Sequence, residues 1–311
     1  MVHYYIQKMK AGFTNYFLLF LVPLNFLHCS SQPSQDKIED HTVIEYSGDI
    51  KLIQSTQGSN KTIFVLTGFG QSPDSIINKH QLFKSLLREN HDLAFVSITN
   101  KNQTLYVKQD EIKSLAEQIT AFIANSKESK KTYTLLGFSI GGSACLKLLS
   151  DSVFCNKTNI SKCVVIDPPL DIERLYSSLL RQHKETKNDI SKNESGFLLN
   201  FFKENYNITE TTKPPVLWSN SIFALNDTLY KNHKRIKHKN ILLFTNNDSA
   251  WQRVNRGRLP IDMNITDCIS FYESIRMQNN AKLIVMKNNN ALSNPHSWDN
   301  VDESILINWL Q

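Results

Sequence analysis

Tyr133-Thr134-Leu135-Leu136-Gly137-Phe138-Ser139-Ile140-Gly141 decides how the rest of this chain is read. A β-forming run leads into a G-x-S-x-G spacing, and Gly142-Ser143-Ala144-Cys145-Leu146-Lys147-Leu148-Leu149 follows with helical character. That spacing places a serine on a sharp turn between a strand and a helix. Side chains at the two flanking positions would collide with the neighbouring strand and helix, so both are glycine. The serine is held in a strained conformation with its hydroxyl exposed, and the next N–H points the same way. Glycine is scarce here, 10 in 311 residues, so a chance match to the pattern is uncommon.

Working outward, apolar strands alternate with amphipathic helices. His41–Tyr46 and Asp49–Ile53 alternate like two strands joined at Ser47-Gly48. Thr62–Leu66 is a buried strand, Pro73–Arg88 has helical periodicity, and Leu93–Ile98 is again a strand. Gln109–Ala124 puts Ile112, Leu115, Ile119, Phe122 and Ile123 on one helical face. After the serine helix come strands at Cys163–Ile166, Asn240–Thr245 and Ala281–Met286, a helix around Asp267–Gln278, and a closing helix at Ser304–Leu310. Near-continuous apolar strands of this kind imply an α/β protein with a mostly parallel central sheet flanked by helices on both faces. Residues 170–239 break the alternation. They are polar, Lys-rich and helical in tendency, and read as a cap inserted over one edge of the sheet.

A chain of 311 residues can bury one large core or two modest ones. The hydrophobic fraction is 41% and the charged fraction 21%, which excludes a disordered or fibrous chain. Net charge is a mild +6, and the basic run His233–Lys239 comes with no nucleic-acid motif, so no nucleic-acid partner is expected. At the N-terminus, Lys8 and Lys10 precede the apolar stretch Tyr16–Leu27, which is short and broken by Pro23 and Asn25. This reads as a secretory signal over residues 1–29. Cys29 and the polar tether through residue 40 resemble a bacterial lipoprotein signal, in which the cysteine carries the lipid; His28 departs from the small residue usual there. An exported protein follows, periplasmic or on the outer surface, with secretion as the alternative. Cys145, Cys155, Cys163 and Cys268 match no metal spacing, and Cys155 and Cys163 flank a polar loop where pairing stays open.

With the serine turn, the alternating elements and the insertion in place, residues 41–311 resemble the α/β-hydrolase superfamily. The resemblance implies the chain order serine, acid, histidine, with the acid after the second-last strand and the histidine after the last. Those positions hold Asp248, in Asn246-Asn247-Asp248-Ser249, and His296, in Asn294-Pro295-His296-Ser297-Trp298. No glycine precedes Asp248. Asp262 and Asp167 are the alternatives, because some members carry the acid after the strand that follows the serine helix, where Asp167 stands. A serine hydroxyl needs a neutral imidazole to take its proton, and a carboxylate to fix the imidazole's tautomer and stabilise its charged form. The oxyanion hole implied is the N–H of Ile140 with that of Phe69, in the loop Thr67-Gly68-Phe69-Gly70-Gln71. Trp251, Arg253 and Trp298 are expected at the pocket mouth, and Arg253, Arg256 and Arg258 either receive an acidic substrate or are surface charge.

The resemblance therefore implies an exported serine hydrolase that cleaves carboxylic esters of small molecules or saccharides through an acyl-enzyme, with no cofactor or metal. A peptidase or thioesterase would use the same triad. A surface binding protein on a hydrolase fold is the reading from another class.

Overall fold

The computed structural model describes residues 41–45, 50–96, 104–125, 131–288 and 293–311. The signal-like segment, Cys29, the tether, the Ser47-Gly48 turn and the expected strand end at 97–98 lie outside the described residues.

Eight strands form one sheet: β1 (His41–Glu45), β2 (Ile50–Ser55), β3 (Lys61–Leu66), β4 (His91–Val96), β5 (Thr132–Phe138), β6 (Lys162–Ile166), β7 (Asn240–Asn246) and β8 (Asn280–Met286). Their order is β1-β2-β4-β3-β5-β6-β7-β8. The β1–β2 and β2–β4 pairs are antiparallel, and the other five are parallel. Period-two alternation divides the sheet between two apolar cores. Phe64, Leu66, Leu135, Val165 and Leu243 point to one face. There they meet α3 (Gln109–Asn125), α4 (Ile140–Leu149), α5 (Ser152–Thr158) and α10 (Ile265–Ile275). Ile63, Val65, Leu136, Val164 and Leu242 point to the other, against α1 (Pro73–Lys79), α2 (Gln81–Arg88) and α11 (Glu303–Leu310). Burial on both faces is why these strands read as continuous apolar runs.

Between β6 and β7 lie α6 (Ile172–Glu185), α7 (Asp189–Tyr206) and α8 (Pro214–Asn220). They have a third core of their own, built on Ile172, Tyr176, Leu179, Phe202 and Tyr206, and it also takes in Ile140 beside the serine and half-buried Phe69. The insertion thus packs on the residues expected to hold an oxyanion.

Three local features differ from the sequence reading. The single helix expected over 73–88 is two, because His80 is extended (φ −111°, ψ 123°) and its Nδ1 is drawn 2.7 Å from Asp299 Oδ1. The polar loop between Cys155 and Cys163 begins as the last turn of α5, which runs to Thr158 and whose first turn is capped by the Asp151 side chain accepting from Val153 and Phe154 N–H. All four described cysteines are buried and free, so Cys155 and Cys163 are not paired.

Candidate active site

Register alone gathers the candidate residues. Leu66 of β3 stands beside Gly137 of β5, and Phe138 beside Ile166 of β6. Ile166 in turn pairs with Phe244 of β7. The next residues along, Thr67, Ser139, Asp167 and Thr245, therefore emerge together at the carboxyl edge of the sheet, where open α/β sheets hold their ligands.

Ser139 sits between β5 and α4 with φ 52° and ψ −125°, a conformation L-residues rarely adopt. Two glycines make the turn possible. A Cβ on Gly137 would lie 2.5 Å from Gly141 O, and one on Gly141 would fall inside the van der Waals radii of Leu66 O and Thr67 O. Ser139 N–H is tied to Ile166 O at 2.8 Å, which fixes the turn to β6.

His296 lies beyond β8 and comes to the same edge. Its ring packs on Phe138, centroids 4.6 Å apart, so the imidazole rests against the residue before the serine. Trp298 continues that stack at 4.8 Å from Phe138 and is 1% exposed. It is a core residue behind the histidine, not a wall of the pocket mouth. Among the described residues no hydrogen bond joins Ser139 to His296. Such catalytic contacts are often long before substrate arrives.

The carboxylate on His296 is Asp167, not Asp248. Asp167 Oδ2 is 2.6 Å from His296 Nδ1. Its other oxygen accepts from Thr245 Oγ1 at 2.9 Å and Asn246 N–H at 3.3 Å. Every oxygen of this buried carboxylate thus has a partner, which is what keeps a charged group tolerable there. Asp167 itself has φ 47°. Asp248 is spent elsewhere. Its Oδ1 accepts from Trp251 N–H at 2.9 Å as the cap of α9 (Ser249–Arg256), and its Oδ2 accepts from Asn288 Nδ2 at 3.1 Å. Asp262 is ion-paired with Arg181 and accepts from Leu259 N–H at 2.8 Å.

The segment leaving Asp167 is clamped by α10 and the residue before it. Asn264 Nδ2 donates to Asp167 O at 2.8 Å, and Arg174 Nη2 donates to Asn264 Oδ1 at 3.0 Å. Arg174 also forks onto both oxygens of Asp267, at 2.5 and 2.6 Å. Burial alone would lower the Arg174 pKa, but the Asp267 carboxylate outweighs it and the net direction is up. Asp267 Oδ2 accepts from Leu170 and Asp171 N–H at 3.0 and 3.1 Å. One arginine at the start of the inserted helices thus braces the segment that carries Asp167.

Opposite the serine, the Phe69 and Ile140 N–H groups have no acceptor among the described residues. Their loop is held from behind by Gln71, whose Oε1 accepts from Gly68 N–H at 3.0 Å and from Trp298 Nε1 at 3.2 Å. The Phe69 ring meets Phe201 of α7 edge-on at 5.2 Å and Phe197 at 6.1 Å, so the insertion lays aromatic surface against the loop expected to hold an oxyanion. Arg256 and Arg258 both pair with Glu194 of α7 at 3.0 Å, while Arg253 is exposed. Two of the three arginines considered for an acidic substrate therefore brace the insertion instead.

Sequence reasoning placed Gln71, Asn264 and Arg174 in no role. Gln71 is met by Trp298, 227 positions away, and Asn264 and Arg174 meet partners 88 to 97 positions away; no local spacing encodes such contacts.

The sheet order, the serine turn and the histidine after the last strand define an α/β-hydrolase fold with an inserted set of helices. Solved structures of that fold resemble the chain at low identity. Carboxyl esterase 2 of the fungus Tuber melanosporum matches at 14% identity and TM-score 0.58, over 91% of this chain and 86% of that one. An esterase of Pyrococcus furiosus matches at 15% and 0.54, over 92% and 96%. An acylaminoacyl peptidase of Pyrococcus horikoshii matches at 11% and 0.54, over 88% of this chain but 41% of that one. No protein-family model and no curated protein sequence matches the chain.

Proposed function

We propose that this chain is a serine hydrolase cleaving carboxylic esters through an acyl-enzyme, with Ser139 as nucleophile, His296 as general base and Asp167 as the acid. The observation that carries the reading is the 2.6 Å contact of Asp167 with His296, on a ring packed against the residue that precedes Ser139. Asp167 holds the proton on Nδ1, which leaves Nε2 unprotonated and free to act as base. Ser139 Oγ attacks the ester carbonyl carbon while its proton passes to Nε2. The oxygen gains the electron pair and is met by the Phe69 and Ile140 N–H groups, each such donor contributing about 3 kcal/mol to the transition state. Collapse expels the alcohol, which takes the proton from Nε2. A water then attacks the acyl carbon while its proton passes to Nε2; the bond from that carbon to Ser139 Oγ breaks, Oγ takes the proton back from Nε2, and the carboxylic acid leaves.

The aromatic surface of Phe69, Phe197 and Phe201 favours an apolar acyl group. The signal-like N-terminus supports export, with Cys29 as the lipid attachment point. A fluorophosphonate probe, with p-nitrophenyl esters of graded chain length beside aminoacyl amides, tests the reading. Ser139-dependent labelling and ester turnover are expected. Absence of labelling under conditions that label a control hydrolase would refute it, and faster amide turnover would make the protein a peptidase.

A further inference from the structure

At the end of the sheet opposite Ser139, the starts of β3, β5 and β6 open onto a cavity of about 580 Å³. Lys61, Lys131, Lys157 and Lys162 line it, and Ser139 does not. Lys131 is paired with Asp92 at 2.7 Å. Lys61, Lys157 and Lys162 form no ion pair among the described residues; Lys162 meets only the Leu310 carbonyl at 3.5 Å and the Trp309 ring at 5.7 Å. His91 forms part of the same wall, is 2% exposed, and has no partner for its buried Nδ1. Burial is the main reason its imidazole is pushed down to a pKa of about 4; Lys61 and Lys162 add to the effect and Asp92 opposes it.

Three ammonium groups with no ion pair among the described residues line one partly enclosed volume and repel one another, and low-dielectric walls focus that field. A multiply charged anion would offset the repulsion. Ammonium groups act as point charges toward phosphate oxygens and need no fixed fork geometry. The volume exceeds that of one phosphate and falls in the range of small-molecule sites, about 300–1,000 Å³. We infer that this cavity is a binding site for a phosphate-bearing small molecule, separate from the serine site at the other edge of the sheet.

Titration of the full chain with pyrophosphate, followed by calorimetry and by the ¹H–¹⁵N signals of His91, tests this. One saturable site per chain and a selective shift of the His91 ring are expected. Replacing Lys61→Gln together with Lys162→Gln should weaken binding by about tenfold or more, as for loss of charges that face a ligand directly. The pair Lys203→Gln with Lys213→Gln, on the insertion, removes the same charge elsewhere and should change little. Equal weakening by both pairs would mean diffuse attraction to a basic protein, and would overturn the site. So would the absence of saturation and of any His91 shift in the unmodified chain, a result that does not depend on how the variants fold. Binding to phosphatidylglycerol vesicles without binding pyrophosphate would assign the lysines to a membrane surface and also overturn it.

Discussion

Asp167 and His296 stand 129 residues apart in the chain and 2.6 Å apart in space, joined Oδ2 to Nδ1. The carboxylate comes from the end of β6, directly beside the strand that carries Ser139, and the histidine comes from beyond β8. Two strand ends and a returning loop are enough to build the pair.

Asp248 has a different task, and its loss should be felt in stability. Its side chain caps α9 through Trp251 N–H and receives Asn288 Nδ2. Asp248→Ala should cost about 1 kcal/mol, typical of a lost N-cap, in urea unfolding. A loss of ester turnover far beyond what the fraction unfolded explains would contradict that role.

Gly141 is the most constrained point of the turn. A methyl group there meets Leu66 O and Thr67 O, both backbone atoms of the adjoining strand end and loop. Gly141→Ala should destabilise the chain by about 1–3 kcal/mol through overpacking and displace the Ile140 N–H. The expected readout is a lowered melting temperature with lost fluorophosphonate labelling. Unchanged labelling would mean that the turn yields more easily than this geometry allows.

Asn264 is expected to position Asp167 without touching substrate. It holds the Asp167 carbonyl and is itself held by Arg174. Asn264→Ala should lower kcat by about tenfold to a hundredfold, the scale of a small misplacement in a catalytic group, with KM nearly unchanged. A change in melting temperature alone, with kcat intact, would reduce Asn264 to a structural residue.

His91 should make the fold acid-sensitive. Its pKa in the folded chain is about 4, against 6.5 for the free group, mainly because it is buried. Above pH 6.5 both states are neutral and nothing is lost. As pH falls from 6.5 toward 4 the unfolded chain binds the proton and the folded chain does not, so stability declines, by about 3 kcal/mol at most. Urea unfolding of His91→Gln should show a shallower decline across that window than the unmodified chain. Parallel curves for the two proteins would contradict the assignment.

Much of this molecule is legible before folding. The serine turn, the alternation of elements and the insertion follow from local spacing, because glycine crowding and strand burial leave marks on neighbouring residues; the place of His296 follows from the chain order that the resemblance implies. The acid does not. Asp167 and Asp248 both follow a strand, and each could reach a histidine beyond β8. What separates them is that Asp248 lies at the start of a helix and its oxygens are taken by Trp251 N–H and Asn288. The helix α9 has no long apolar stripe that would announce it. Trp298 misleads for a related reason: standing next to His296 in sequence, it turns inward onto Phe83 and Phe138.

The most direct measurement is kcat for ester hydrolysis by Asp167→Asn beside Asp248→Asn, each checked for folding. Asparagine preserves shape while removing the charge and changing which imidazole tautomer is held. The account predicts a fall of about 10³–10⁴ for Asp167→Asn, the scale of such a change in a serine triad, and a near wild-type rate for Asp248→Asn. The reverse pattern, with Asp248→Asn inactive and Asp167→Asn active, would contradict it.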